Sequence, residues 1–191
     1  DDLFVTDSDN GQPNRLYHNN SDGTFTDVTD KAGVAGGNDP LSIVADAVWF
    51  DYDNDGWRDL LVARFGMPIL YHNERNGTFR DVSKQSGLNK FGNTIAVITF
   101  DYDNDGKLDL LFGNYFQPEN LLDLKHPKVL PNDLDNAVNG GGVTLWRGDG
   151  RGTFTETTEK AGFFSCSRIF GAVFGTTTRI LVIYEFTVSL E

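Results

Sequence analysis

Apolar residues fall along this chain in short runs, each too short for an ordinary helix. Residues 43–50, 60–65, 95–100 and 108–112 are rich in Val, Ile, Leu and Phe. Continuous apolar runs of this length predict strands buried on both faces. Between them lie LYHN-like and Thr-Phe segments, paired around the glycine turns Asp22-Gly23, Asn76-Gly77 and residues 149–152. Asp-Gly and Asn-Gly favour tight hairpin turns, so each pair predicts a hairpin.

The pattern repeats. Residues 51–61 read DYDNDGWRDLL and residues 101–111 read DYDNDGKLDLL, with nine of eleven positions identical. LYHNNSDGTF at 16–25 returns as LYHNERNGTF at 70–79 and more loosely as LWRGDGRGTF at 145–154. The trailers DVTDKAGV, DVSKQSGL and ETTEKAGF follow them in turn. One unit is thus an apolar run, an acidic loop, a second apolar run, an LYHN-like run, a glycine turn, a Thr-Phe run and a linker. That makes about four strands, with a period near that of propeller blades. A four-stranded unit with two apolar faces cannot bury both alone, and radial packing against its neighbours solves the problem.

The expectation is an all-β fold, a β-propeller fragment of about three four-stranded blades. Closed propellers have at least about four blades, so this fragment is not expected to close a ring by itself. It divides into a partial blade at 1–35, a blade with an acidic loop at 36–90, a blade with an acidic loop and an insertion (115–142) at 91–163, and a divergent remnant at 164–191. Asp2-Leu3-Phe4-Val5 aligns with Asp59-Leu60-Leu61-Val62. The chain therefore opens part-way through a unit and is expected to be a piece of a larger protein.

Charge narrows the partners. The chain carries 28 acids against 16 bases, a formal charge of −12. Such a surface disfavours nucleic-acid phosphates and anionic lipid, and suits cations. No run reaches the roughly 18 apolar residues of a membrane helix. The single cysteine, Cys166, excludes an internal disulfide framework and a thiolate zinc site within the chain.

The acids are concentrated in the repeated loops. Asp51, Asp53, Asp55 and Asp59 occupy positions 1, 3, 5 and 9, with Gly56 at position 6. Asp101, Asp103, Asp105 and Asp109 repeat the arrangement around Gly106. Alternate carboxylates on a tightly curved loop converge, and they repel unless a cation sits among them. Oxygen donors at this density suit Ca²⁺, which takes 6–8 oxygens, ahead of Mg²⁺ with its fewer protein ligands. The position-7 carbonyls of Trp57 and Lys107 are expected as further ligands. An EF-hand would need a Glu at position 12, where Val62 and Phe112 stand, and helical flanks. Solvated Asp-Asn-Gly turns without an ion remain the competing explanation.

The segment Phe50-Asp51-x-Asp53-x-Asp55-Gly56-x-x-Asp59-Leu60 resembles the calcium loop of FG-GAP and VCBS repeats, which build β-propellers such as the integrin α-subunit head. The LYHN, DGTF and DVT-x-x-AG context is similar to bacterial repeat proteins associated with the ASPIC/UnbV domain. The resemblance covers residues 1 to about 163. It implies that each loop joins two strands of a blade and holds Ca²⁺ through the eight aspartates, two ions in all. Asp2 matches the last acid of such a loop. Two ions would bring the formal charge from −12 to −8, that is −12 + 2 × 2.

Two regions depart from the pattern. Residues 171–175 look like the strand before a third acidic loop, yet Thr176-Thr177-Thr178-Arg179-Ile180 follows, with no acid until Glu185. A reading-frame slip would explain this, since Asp-Tyr-Asp codons read one base late can give Thr-Thr-Thr. The insertion carries Pro118, Pro127, Pro131 and Gly140-Gly141-Gly142 without periodicity. A long irregular loop is either functional or a cap over the blade's end.

The remaining candidates have ordinary explanations. His18 and His72 recur with the LYHN segment and are expected as strand residues. His126 stands alone in the insertion, and Cys166 is expected to be an inert thiol. There is no G-x-S-x-G, Ser-His-Asp cue or phosphate loop. A carboxylate-pair glycosidase is disfavoured because ion binding accounts for the repeated acids. Of the tryptophans, Trp57 is the candidate for stacking on a sugar, and Trp49 is expected between blades. The expected function is a non-enzymatic, calcium-binding recognition or adhesion scaffold in an extracellular, periplasmic or cell-surface protein, with a protein or glycan partner. The alternative is a non-catalytic, carbohydrate-binding part of a larger secreted enzyme or lectin.

Overall fold

The computed structural model describes residues 1–9, 11–37, 42–116, 118 and 140–163, and the backbone of 169–175 and 180–185. It is nearly all β, and its architecture is that of a partial β-propeller. The first unit has β1 (Leu3–Val5), β2 (Arg15–Asn19) and β3 (Phe25–Asp27), in that order across one antiparallel sheet, then a single helical turn, α1 (Thr29–Ala32). The second has β4 (Val44–Phe50), β5 (Asp59–Gly66), β6 (Ile69–Asn73) and β7 (Phe79–Asp81). The third has β8 (Gly92–Phe100), β9 (Asp109–Asn114), β10 (Gly142–Gly148) and β11 (Phe154–Glu156). Each strand pairs antiparallel with the next within its unit. A further pair, β12 (Ile169–Gly175) and β13 (Ile180–Glu185), starts a fourth unit whose backbone lies beside β8 and β9.

The period-2 alternation of β5 shows why the units must stack. Leu60 and Val62 point into one cluster with Leu16, Ala32, Val34 and Tyr71, between the first and second units. Leu61 and Ala63 point the other way, into a cluster with Phe50, Val97, Leu110, Trp146 and Phe154, between the second and third. All four β5 residues are fully buried. A strand with two apolar faces thus contributes to two cores, each shared by neighbouring blades. Trp49 lies between blades as expected, its ring edge-on to Phe4 and tilted against Phe79. At their ends the second and third units also join directly, through Phe65↔Asn93 and Gly66↔Gly92.

Burial on both faces holds for β5 and β9 but not for β4 and β8, which are mostly half-buried. Among the described residues β4 pairs only with β5, and β8 pairs with β9 and just the end of β5. First strands of a blade have an open edge, and apolar composition alone does not report that. The glycine turns also differ from two-residue hairpins. Each is closed by a backbone bond spanning four residues, as from Asn20 N to Thr24 O and from Glu74 N to Thr78 O. Left-handed residues alternate in them, at Ser21 and Gly23, Arg75 and Gly77, and Gly150 and Gly152.

The trailers are more than linkers. The Thr29 hydroxyl accepts the Leu16 N–H, Ser83 that of Leu70, and Thr158 that of Leu145. Asp27 and Asp81 in turn accept the N–H and hydroxyl of Thr29 and Ser83. These bonds continue the ladder past the short strands β3, β7 and β11. The interior of the insertion with His126, the Cys166 thiol and the Thr176–Arg179 stretch lie outside the described residues.

Candidate metal centre

Each acidic loop is a repeated piece of backbone. Asn54 and Asn104 at position 4 have φ of 59°, and Gly56 and Gly106 at position 6 have φ of 87° and 80°. Two left-handed residues in three curl the chain, and Asn tolerates that region better than other side chains. Asp51 closes the curl by accepting the N–H groups of Asp55 and Gly56, at 3.0 and 2.9 Å. Asp101 does the same with Asp105 and Gly106, at 3.1 and 2.9 Å. Asp55 and Asp105 accept the N–H of Trp57 and Lys107 at position 7.

The ninth-position acids are not loop residues. Asp59 and Asp109 open β5 and β9, paired with Phe50 and Phe100, and both are fully buried. Asp59 accepts from Tyr52 N at 3.3 Å and Asn73 N at 2.8 Å. Asp109 accepts from Tyr102 N at 2.9 Å and Gly148 N at 2.8 Å. Asp2, in the first unit, accepts from Asn19 N in the same way. Burial pushes the Asp59 carboxyl up to about 6, against the lowering effect of its two backbone donors. Burial raises Asp109 as well.

Among the described residues, three sets of side chains have donor atoms within 4.8 Å of one another: Asp51, Asp53 and Asp55; Asp53, Asp59 and His72; and Asp101, Asp103 and Asp109. Asp105 falls outside these sets. Lys107 Nζ holds it at 3.0 Å, and the Arg147 guanidinium bridges it to Asp103. In the other loop Arg75 takes Asp55. That hydrogen bond holds Asp55 below the usual carboxylate range, whereas burial and the Asp55 charge raise Asp53. Asp53 Oδ1 is buried without a hydrogen-bond partner. Clustered carboxylates with an unspent buried oxygen have the donor chemistry of a metal site, and an all-oxygen set fits a hard divalent cation.

Residues 51–112 match the FG-GAP-like repeat family. The matched repeat begins at the first acid of one loop, passes through the second and ends within β9. It thereby covers all ten candidate ligands, including Trp57 and Lys107. A search of curated proteins finds no match to the chain.

His72 is the site residue that sequence reasoning missed. It is a strand residue of β6, as expected, but its Nδ1 lies 3.4 Å from Asp53 and 3.3 Å from Asp59. Its signal was the hairpin register. Pairing Leu60 with Tyr71 places His72 opposite Asp59. The same register sets His18 against Asp2, at 3.0 Å, and Arg147 opposite Asp109.

Elsewhere, a cavity of about 360 Å³ beside β10 and β11 is lined by Phe91, Phe116, Phe163, Asn114, Thr144 and Glu159. Trp57 is 48% exposed, whereas Trp146 is buried. Among the described residues no helix is long and apolar enough to cross a membrane.

Proposed function

We propose that the chain is a calcium-binding β-propeller repeat module of an extracellular, periplasmic or cell-surface protein, serving as a recognition or adhesion scaffold without catalysis. The observation that supports this best is the duplicated loop, with the same left-handed residues, the same Asp51 and Asp101 bonds and the same buried ninth acid in both copies. Asp51, Asp53, Asp55 and Asp59 would hold one ion with the Trp57 carbonyl. Asp101, Asp103, Asp105 and Asp109 would hold the other with the Lys107 carbonyl, once Arg147 releases Asp103 and Asp105. Calcium supplies positive charge among carboxylates that otherwise repel, so its binding adds to folding stability by mass action. Extracellular modules bind Ca²⁺ at about 10⁻⁴–10⁻³ M, which fits filling outside the cytosol.

The loop acids are thereby given a structural role, and the exposed loop surfaces are left for a protein or glycan partner. The LYHN and DVT-x-x-AG context supports the narrower kinship with VCBS and ASPIC/UnbV-type repeats. Isothermal titration of calcium into the chelated chain should register two ions. No heat and no rise in melting temperature would refute the proposal.

A carbohydrate-binding part of a larger secreted enzyme or lectin is the second reading, favoured by the exposed Trp57 indole beside the acids. Aromatic faces stack on sugar rings. A glycan array on calcium-loaded protein separates the two, with binding lost in Trp57→Ala under the second alone.

A further inference from the structure

The three hairpins place different residues opposite the same acid. The His18 and His72 side chains approach Asp2 and Asp59, whereas Arg147, opposite Asp109 in register, reaches to Asp103 and Asp105 instead. His18 is an exposed pair with one carboxylate. Arg147 is cationic and has no lone pair to offer a metal. His72 differs from both. Its Nδ1 is shielded from solvent and has no hydrogen-bond partner of acceptable geometry, although two carboxylate oxygens approach it. One of them belongs to Asp53, whose other oxygen is buried and equally unpaired. Two unspent buried atoms, Nδ1 on a strand and Asp53 Oδ1 in the acidic loop, cost free energy unless something satisfies them.

A hard ion does not account for the imidazole. Calcium takes oxygen ligands, whereas neutral imidazole suits zinc and its first-row neighbours. We propose that His72, Asp53 and Asp59 form a mixed nitrogen–oxygen site for a divalent first-row ion of the zinc class. The spacing agrees. Ligands about 2.0–2.1 Å from a tetrahedral zinc lie about 3.3–3.4 Å apart. Nδ1 stands 3.4 Å from Asp53 Oδ2 and 3.3 Å from Asp59 Oδ1. Three protein donors leave a fourth position for water, and the imidazole proton resides on Nε2. Asp59 retains its backbone donors from Tyr52 and Asn73, which orient it as outer partners orient metal-bound carboxylates. The site goes beyond the calcium cage and shares only Asp53 and Asp59 with it. Zinc and calcium therefore compete in the second blade and not in the third, where Arg147 excludes a nitrogen ligand.

The test is zinc titration of the chelated chain, with calcium titrated separately into the same samples. Wild type should take up one zinc equivalent, and His72→Gln should weaken that uptake by about 10–100-fold or more. Calcium affinity in His72→Gln should change by less than about twofold, since calcium does not use the imidazole. Should the variant fail to fold, nitrogen-15 spectra of wild type decide the matter: zinc must shift His72 Nδ1. No zinc uptake, uptake undiminished in folded His72→Gln, or a shift confined to another histidine overturns the proposal. Zinc uptake without calcium uptake would sustain this site and refute the calcium module, and the reverse result would do the opposite.

Discussion

Asp59 stands across the β5–β6 ladder from His72, and its carboxylate ties the start of one strand to the end of the other. Oδ2 takes the Tyr52 N–H and Oδ1 the Asn73 N–H. Asp109 makes the same two bonds with Tyr102 and Gly148. The ninth acid of each loop is therefore a structural clamp whether or not an ion is bound, in addition to its place in the cage, whereas Asp53 has a buried oxygen that clamps nothing.

That division separates two substitutions. Asp59→Ala leaves two N–H groups without their acceptor. Each buried orphan costs about 1–3 kcal/mol. The melting temperature should fall by several degrees in chelator, and by more in calcium, where a ligand is lost along with the two acceptors. Thermal melts in both conditions check this. A loss seen only with calcium would mean that the clamp contributes nothing by itself.

Asp53→Ala should differ in chelator. Asp53 has an unpaired buried oxygen and sits against Asp55, and burial with that neighbouring charge raises its carboxyl. Removing it relieves repulsion in the ion-free protein and abolishes a ligand in the loaded one. In millimolar calcium the variant should melt below wild type, and in chelator the two should converge. Equal melting in calcium would count against Asp53 as a ligand.

How much of this was legible in the sequence differs by level. The duplication of DYDNDG and LYHN marked the units, and the apolar runs marked β4, β5, β8 and β9, because period and turn chemistry are local properties. Depth was not local. The runs at 43–50 and 60–65 look alike, yet only the second is buried on both faces, since edge position depends on which strands pair. Asp59 reads as the last loop acid, but pairing with Phe50 makes it the first residue of a strand. His72 looked like a repeat-bound strand residue because its partners, Asp53 and Asp59, lie 19 and 13 positions earlier and meet it only through hairpin register.

Acidification offers a check on the buried acids. Asp59 is raised to about 6 by burial, against about 3.9 in an unfolded chain. A carboxyl raised on folding contributes stability that is fully present below its unfolded value and lost as pH rises through the folded one. In chelator, lowering the pH from 7 to 5 should therefore raise the melting temperature, and Asp59→Asn should flatten that rise. Depressed acids such as Asp55, held down by Arg75, lose their contribution only below the unfolded carboxylate range. In millimolar calcium the ion keeps the site ionised, and the rise should vanish. Wild type with a flat profile in chelator would contradict the burial of Asp59.

Blade stacking can be tested without touching the ion site. Gly33, Gly87 and Gly162 end the three trailers with φ of 77°, 82° and 84°. A Cβ at Gly162 would meet nothing within 4 Å, whereas one at Gly87 would lie 2.8 Å from the Phe154 carbonyl oxygen. That carbonyl belongs to β11 of the next unit, whose Phe154 N–H bonds Ser86 O at 2.8 Å. Both alanine variants suffer left-handed strain of about 1–2 kcal/mol. Only Gly87→Ala also forces the trailer away from the neighbouring blade, where Phe154 packs against Phe50 and Tyr52. Its destabilisation in denaturant melts should exceed that of Gly162→Ala by about 1–3 kcal/mol, the range for overpacking. Equal losses would mean that the contact between trailer and β11 does not help hold the blades together.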